Sequence, residues 1–379
     1  MSEWKEYKLG DVAEIKYGKD HKHLVNGDIP VYGSGGIMRY ADKALYESES
    51  ILIPRKGTLS NLFYVNKPFW SVDTMFYTKI KSGFNVKYLY YYLKTLDLAS
   101  MNVGSAVPSL TKEVLDKIEI NLPDISTQNR IAASLSSLDD KIDLLQRQNK
   151  TLEQMAETLF RQWFLPASAG QAGVEEADES WEEKGLDEIA EFLNGLACQN
   201  FPVKPNEVGL PVIKIKEMRT GITETSDIAT HEIPEKYIVE DGDMLFSWSG
   251  SLDVILWSGG KGVLNQHLFK VTSTEFPQWF YYFWVKHHIL EFQGIAADKA
   301  TTMGHIQRHH LSNAMVIVPP KNKLIEMDET VNPVFQKIKS NTKQIRTLTQ
   351  LRDTLLPKLM SGEVRVSNSG EVRVKTEKE

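Results

Sequence analysis

Trp4, Leu9, Val12, Ala13, Glu14, Ile15 and Gly18 recur without a gap as Trp181, Leu186, Ile189, Ala190, Glu191, Phe192 and Gly195, at a constant offset of 177 residues. Downstream the offset drifts between 181 and 193, as loop insertions would make it. Ile29-Pro30-Val31 answers Leu210-Pro211-Val212, the run from Leu52 to Leu59 with Gly57 answers Leu245 to Leu252 with Gly250, and Tyr88 to Leu93 answers Trp279 to Trp284. From Leu122-Pro123 against Val318-Pro319 it settles at 196, laying Lys141-Ile142 on Lys337-Ile338 and Thr151-Leu152 on Thr347-Leu348. Self-similarity at a fixed period dictates architecture before any local propensity does. One unit of roughly 180 to 200 residues has been duplicated, which fits the two-domain expectation for a chain of 379 residues.

Each copy changes texture partway. Residues 1–124 and 181–320 hold short β-branched and aromatic runs between Gly and Pro turns, such as Ser50 to Ile53 and Ala314 to Val318. These predict strands within compact α/β or mainly β domains. The next stretch reads Ile131, Leu135, Leu138, Ile142, Leu145, Asn149, Leu152, Ala156, Leu159, Trp163, alternating steps of four and three. Its counterpart reads Met327, Val331, Val334, Ile338, Asn341, Ile345, Leu348, Arg352, Leu355, Leu359. Both are heptad seams and predict long helices over 125–165 and 321–361, although Pro333 and Pro357 predict an irregular start and an early stop in the second. Residues 166–180 have linker composition, and the tail 362–379, which follows Ser361, repeats Ser-Gly-Glu-Val-Arg-Val before ends expected to fray. The fold class expected is mixed α/β.

Composition narrows the function classes. No run approaches a membrane span, and Met1 to Lys16 alternates charged with apolar residues where a signal peptide needs an apolar core. A single cysteine, Cys198, excludes an internal disulfide framework and fits a reducing cytoplasm. The net charge of −6 runs against a generic nucleic-acid binder, so any DNA contact has to come from local basic loops.

A search for catalytic chemistry returns weak matches. Gly33-Ser34-Gly35-Gly36 lacks the Lys-Ser/Thr pair of a phosphate loop. Asp328-Glu329 reads as a helix first turn complementing the dipole. Asp124 with Asp139-Asp140-Lys141 imitates a metal nuclease, but Asp139 to Lys141 belong to the heptad helix. His287-His288 and His309-His310 have no third ligand at zinc spacing, so no metal site is expected. Neither copy carries the glycine-rich cofactor loop or the Asn-Pro-Pro-Tyr motif of methyltransferases.

What remains is recognition chemistry. Copy one gathers Tyr32, Ser34, Arg55, Lys56, Thr58, Ser60, Asn61 and Trp70 in loops between strands, a mixture of hydroxyls, cations and aromatic surface. Arg55 can chelate guanine O6 and N7, and Asn61 can chelate adenine N6 and N7. Copy two places Lys214, Lys216, Trp248, Ser249, Ser251 and His267 at equivalent points. For any one of these residues a turn or a core role is the simpler reading; the set as a whole points to DNA.

The chain resembles the specificity subunit of type I restriction-modification systems. The resemblance rests on the duplicated domain plus helix, the opening Trp-x4-Leu-x2-hydrophobic-Ala-Glu run, Leu122-Pro123-x4-Gln128-x-Arg130-Ile131, and the terminal Leu351 to Glu363 segment. It implies two target-recognition domains, each reading half of a split DNA site. It also implies two helices packed as an antiparallel coiled coil that serves as a spacer and docks methyltransferase subunits, two of them, and restriction/translocase subunits. S-adenosylmethionine, ATP and Mg2+ would belong to those partners, and this chain would be a non-catalytic, cytoplasmic DNA reader without a membrane role. Gln128 and Arg130 would then be partner-docking residues, and copy two departs from the pattern, since Val318 to Met327 lacks the Gln-x-Arg-Ile element. A solitary DNA-modifying or DNA-cleaving enzyme, and a protein-binding scaffold, stay open as alternatives; the −7 balance of residues 181–320 favours the latter.

An antiparallel pairing of the seams fixes a register. Residue numbers in each layer sum to 490, and the seam asparagines Asn149 and Asn341 then face each other. A seam of this length spans roughly 50 Å, the axial length of about 14 to 15 base pairs.

Overall fold

In the computed structural model, residues 4–104, 107–165, 181–298, 304–367 and 372–374 are described. The linker 166–180 and the last residues, 375–379, lie outside them. Copy one runs β1 (Lys5–Lys8), α1 (Leu9–Val12), β2 (Ala13–Tyr17), β3 (Ile29–Gly33), β4 (Gly36–Ala41), β5 (Ser50–Pro54), β6 (Phe63–Val65), β7 (Trp70–Ser71), β8 (Met75–Ile80), α2 (Val86–Lys94), α3 (Lys112–Asp116), β9 (Glu119–Leu122) and the long α4 (Ile125–Phe164). Copy two runs β10 (Glu182–Gly185), α5 (Leu186–Ile189), β11 (Glu191–Asn194), β12 (Leu210–Ile213), α6 (Ile215–Thr220), β13 (Ile228–Ala229), β14 (Ile238–Val239), β15 (Met244–Ser247), β16 (Asp253–Leu256), β17 (Gly262–Leu264), β18 (Leu268–Thr272), α7 (Gln278–Asp298), α8 (Arg308–Asn313), β19 (Met315–Val318) and the long α9 (Lys321–Met360). An antiparallel pair of short strands, β20 (Val364–Val366) and β21 (Val372–Val374), follows.

The sheets repeat as the sequence does. Copy one forms β2-β8-β5-β6, β4-β3-β7 and β1-β9; copy two forms β11-β18-β15-β16, β13-β12-β17-β14 and β10-β19. β3 pairs parallel with β7 in the first copy, as β12 does with β17 in the second. In both, the opening strand is antiparallel to the strand that immediately precedes the long helix, with Lys5 opposite Leu122 and Glu182 opposite Val318. The mixed α/β class is therefore met.

The chain divides into two compact units, residues 1–141 with 349–379, and residues 142–348. In the first unit Leu9, Ile15, Ile53, Phe76, Tyr88 and Leu115 form a core with Ile131 and Leu135 of α4 and Leu359 of α9. Val364 and Val366 of β20 are buried in the same core. Within the region expected as a tail, Val364–Val366 thus pairs antiparallel with Val372–Val374, Val364 opposite Val374, and the first of these strands seals this core. Asp124 caps α4, accepting the Thr127 amide at 3.0 Å, and Arg352 of α9 pairs with Asp139 of α4 at 2.8 Å. The Tyr91 hydroxyl also donates to Asp139, at 2.5 Å, so this carboxylate joins α2 to both long helices.

In the second unit the predicted register holds. Asn341 Nδ2 donates to Asn149 Oδ1 at 3.0 Å, and Asn149 Nδ2 donates to Thr342 Oγ1 at 2.9 Å. The heptad seam is only one of two buried faces of α4. Phe160 and Phe164, one step off the seam, pack on Phe283 and Trp284 of α7, with centroids 5.1 to 5.7 Å from Trp284. Phe335 of α9 packs on the same helix.

Two helix expectations are corrected. α9 runs unbroken through Pro333 and on past Pro357 to Met360. A proline inside a helix forfeits one backbone bond and costs about 3 kcal/mol; Pro333 itself lies on the exposed face, and Val331, Phe335 and Ile338, all buried, offset the cost by packing on the opposite face. Asp328 is not in a first turn, because α9 begins at Lys321; it accepts the Trp279 indole N–H at 2.8 Å.

Candidate nucleic-acid interface

In copy one, the ends of β3, β5 and β7 converge with the stretch around Ser109. Gly57 N donates to Pro108 O at 3.0 Å, Leu110 N to Arg55 O at 2.9 Å, and Val72 N to Tyr32 O at 3.0 Å. Asn61 Nδ2 donates to Ser34 O at 2.7 Å, tying the β3–β4 tip to the 55–61 loop. Gly57 has φ +92°, a conformation that disfavours any side chain, and a Cβ there would lie 3.2 Å from Ser34 Oγ. Lys56, Thr58 and Ser60 are exposed. Arg55 is half-buried, its Nη1 donating to Asp73 O at 3.1 Å while the guanidinium lies 5.5 Å from the centre of the Tyr17 ring. Tyr32 is half-buried beside Phe63 and Phe69, and burial raises its hydroxyl pKa.

In copy two the corresponding ends carry other chemistry. Trp248 Nε1 donates to Asn194 Oδ1 at 2.9 Å, and its ring lies 5.9 Å from both His267 and Phe269. Ser249, buried, bonds His267 Nδ1 at 3.1 Å. Lys214 precedes α6 and pairs with Asp227, whose carboxyl it holds below the usual range. Lys216 Nζ donates to Thr225 Oγ1 at 2.9 Å, and Arg219 hydrogen-bonds Ser251.

Ser249 is buried, and so are two other residues singled out in the sequence, Trp70 for DNA contact and Gln128 for partner docking. Trp70 is 7% exposed, sits in the β3–β7 core, and donates its indole N–H to Lys19 O at 2.9 Å. It occupies the strand position that Val263 fills, fully buried, in copy two: Val31 opposes Trp70 as Val212 opposes Val263. Gln128 is 2% exposed and cannot dock a partner. Its Nε2 donates to Pro123 O at 2.8 Å and its Oε1 accepts the Asn85 amide at 3.0 Å, so it fastens the start of α4 to the start of α2. Arg130 is half-buried and binds the first-turn hydroxyls of Ser126 and Thr127 at 3.2 and 2.9 Å.

Three contributors were missed. Arg219 continues the basic series of Lys214 and Lys216 one turn on, a spacing that would have disclosed it. Tyr17 and Asn194 are the same position in the repeat, 177 residues apart. Each supports the side chain that follows the equivalent strand of its own sheet, β5 or β15: Tyr17 beside Arg55, Asn194 beside Trp248.

Comparison with known proteins gives one answer. The family described as type I restriction modification DNA specificity domain matches residues 1–154 and again 178–350. The specificity subunit of the type I restriction enzyme MjaIX of Methanocaldococcus jannaschii is 26% identical over 416 residues, covering 96% of this chain and 94% of that protein. The HindI specificity subunit of Haemophilus influenzae is 23% identical over 464 residues, covering 96% and 100%. A crystal structure of the type I restriction-modification S subunit from M. genitalium shares the fold at a TM-score of 0.62 and 16% identity, over 94% of this chain and 96% of that one.

Proposed function

The chain belongs to the type I restriction-modification DNA specificity family, and from that premise we propose that it reads a bipartite duplex target, one half in each globular region, for partner subunits that perform the chemistry. The observation that carries this reading is the pair of equivalent loop ends with unlike side chains. Arg55 rests on Tyr17 in one copy and Trp248 is held by Asn194 in the other. A duplicated scaffold with different groups at the same places is what two different half-sites require.

In this reading the partners are two methyltransferase subunits and restriction/translocase subunits, and S-adenosylmethionine, ATP and Mg2+ reside on them. Arg130 keeps its place as a docking candidate; Gln128 does not. The recognition loops supply local cations in a chain of net charge −6, so phosphate contacts should be few and the salt dependence of binding shallow. The test is methylation-site sequencing in a host carrying the complete system, followed by gel shifts of the assembled complex on that target and on random duplex. Binding to the split target well above random duplex is expected; methylation or cleavage of DNA by the lone chain would replace this reading with the enzyme alternative.

A further inference from the structure

The β3–β4 hairpin carries a bulge beside the candidate interface. Val31 opposes Arg39 and Tyr32 opposes Ile37, so Met38 is an extra residue with no partner across the ladder. Bulges gather next to functional sites, where they re-aim a side chain. Here Ile37 and Met38 stand 49% and 60% exposed, an unusual setting for two consecutive large apolar residues. Met38 is nonetheless seated: a Cβ placed on Gly33 would fall 2.4 Å from its Sδ, so the sulfur lies against the bare glycine backbone. Gly33 leads directly into Ser34, whose carbonyl is held by Asn61. The seated thioether is therefore continuous with the loop that presents Arg55, Lys56, Thr58 and Ser60.

We propose that Met38 contacts the 5-methyl group of a thymine in the half-site read by copy one. The inference rests on the DNA-reading function above. In duplex DNA the thymine methyl is the apolar feature of the major-groove edge, and an exposed apolar side chain is its natural complement. The polar and cationic neighbours favour a nucleic acid over an apolar protein groove, and the polarisable, adaptable methionine suits a flat methyl contact. Copy two has no counterpart, because β12 ends at Ile213 and Lys214 leads into α6 where copy one turns its hairpin. The contact therefore discriminates within one half-site only.

The experiment uses the assembled methyltransferase complex and its sequenced target, with deoxyuridine replacing each thymine of the first half-site in turn. Loss of one buried methyl group corresponds to about a fourfold weaker affinity, and that loss is expected at one position for the wild type. Met38→Ala should bind the unmodified duplex several-fold more weakly and no longer distinguish thymine from deoxyuridine there. Met38→Gln, which keeps the length of the side chain, should also lose the distinction, while Met38→Leu should retain it. Equal deoxyuridine penalties in wild type and Met38→Ala, or a first half-site without any A·T pair, would overturn the proposal. So would a Met38→Ala complex that reads DNA normally but assembles poorly, since the patch would then face a protein subunit. If the wild-type complex fails to prefer its target over random duplex, the DNA-reading function itself has failed, a result separable from all of these.

Discussion

Arg55 is held on two sides before any ligand arrives, by the Asp73 carbonyl and by the face of Tyr17. A guanidinium fixed in this way loses less freedom on binding than a surface lysine would. Bidentate contact with a guanine predicts that Arg55→Ala weakens target binding by about 1 to 3 kcal/mol and random duplex much less. A phosphate contact predicts equal losses on both and a salt slope smaller by about one charge. A salt series on both duplexes separates the two, and the base contact is the expected outcome. Legibility at this scale was uneven, for physical reasons. Arg55 and Lys56 are long, charged and in a loop, so residue type alone placed them near solvent. Trp70 and Gln128 are amphipathic or amide side chains whose role depends on what surrounds them. Trp70 lies inside because β7 is covered on both faces, with Phe69, Ser71 and Val72 buried beside it, and Gln128 is buried where it satisfies Pro123 O and the Asn85 amide.

Among elements, α4 shows how much a periodicity can reveal and where it stops. The three-four spacing located the seam and its register to the residue, since Asn149 and Asn341 meet within the second unit. It did not disclose the second face, because Phe160 and Phe164 are called for by α7, a helix whose contact no local pattern announces. The asparagine pair is a selective device: Asn341 is 1% exposed, and its own Oδ1 finds no partner among the described residues. Asn149→Leu should strand the Asn341 amide and cost on the order of 1 to 3 kcal/mol, while Asn149→Leu with Asn341→Leu should recover much of that. Chemical denaturation of the single and double variants checks this; a double variant no more stable than the single would contradict it. The β20 strand makes a separate claim. Deleting residues 362–379 removes Val364 and Val366 from the first unit's core, and should destabilise that unit by about 3 kcal/mol on burial alone. Hydrogen exchange is the suitable readout, with protection falling in residues 1–141 and holding in 142–348.

At the scale of the molecule, the duplication was legible because framework residues keep their offset, and it returns as sheets with matching strand order, to one of which copy two adds β14 at the edge. The loops were legible only as places. Insertions such as α6 and β14 shift their spacing, and the groups they present differ by selection for a ligand rather than for a fold. That separation between framework and loops makes a prediction about modularity. Copy one's recognition loops are bonded to one another by Gly57, Leu110, Val72 and Asn61, and copy two's by Trp248, Ser249 and Arg219, each within its own unit. Replacing residues 1–124 by the matching region of another family member should therefore exchange one half of the target and leave the other unchanged. Methylation-site sequencing of a host expressing the chimera with its partner subunits measures both halves at once. A framework mismatch would lower the extent of methylation at a correct hybrid target, whereas coupled readers would alter both halves together; the second result would defeat the two-reader account even if the chimera folded and assembled normally.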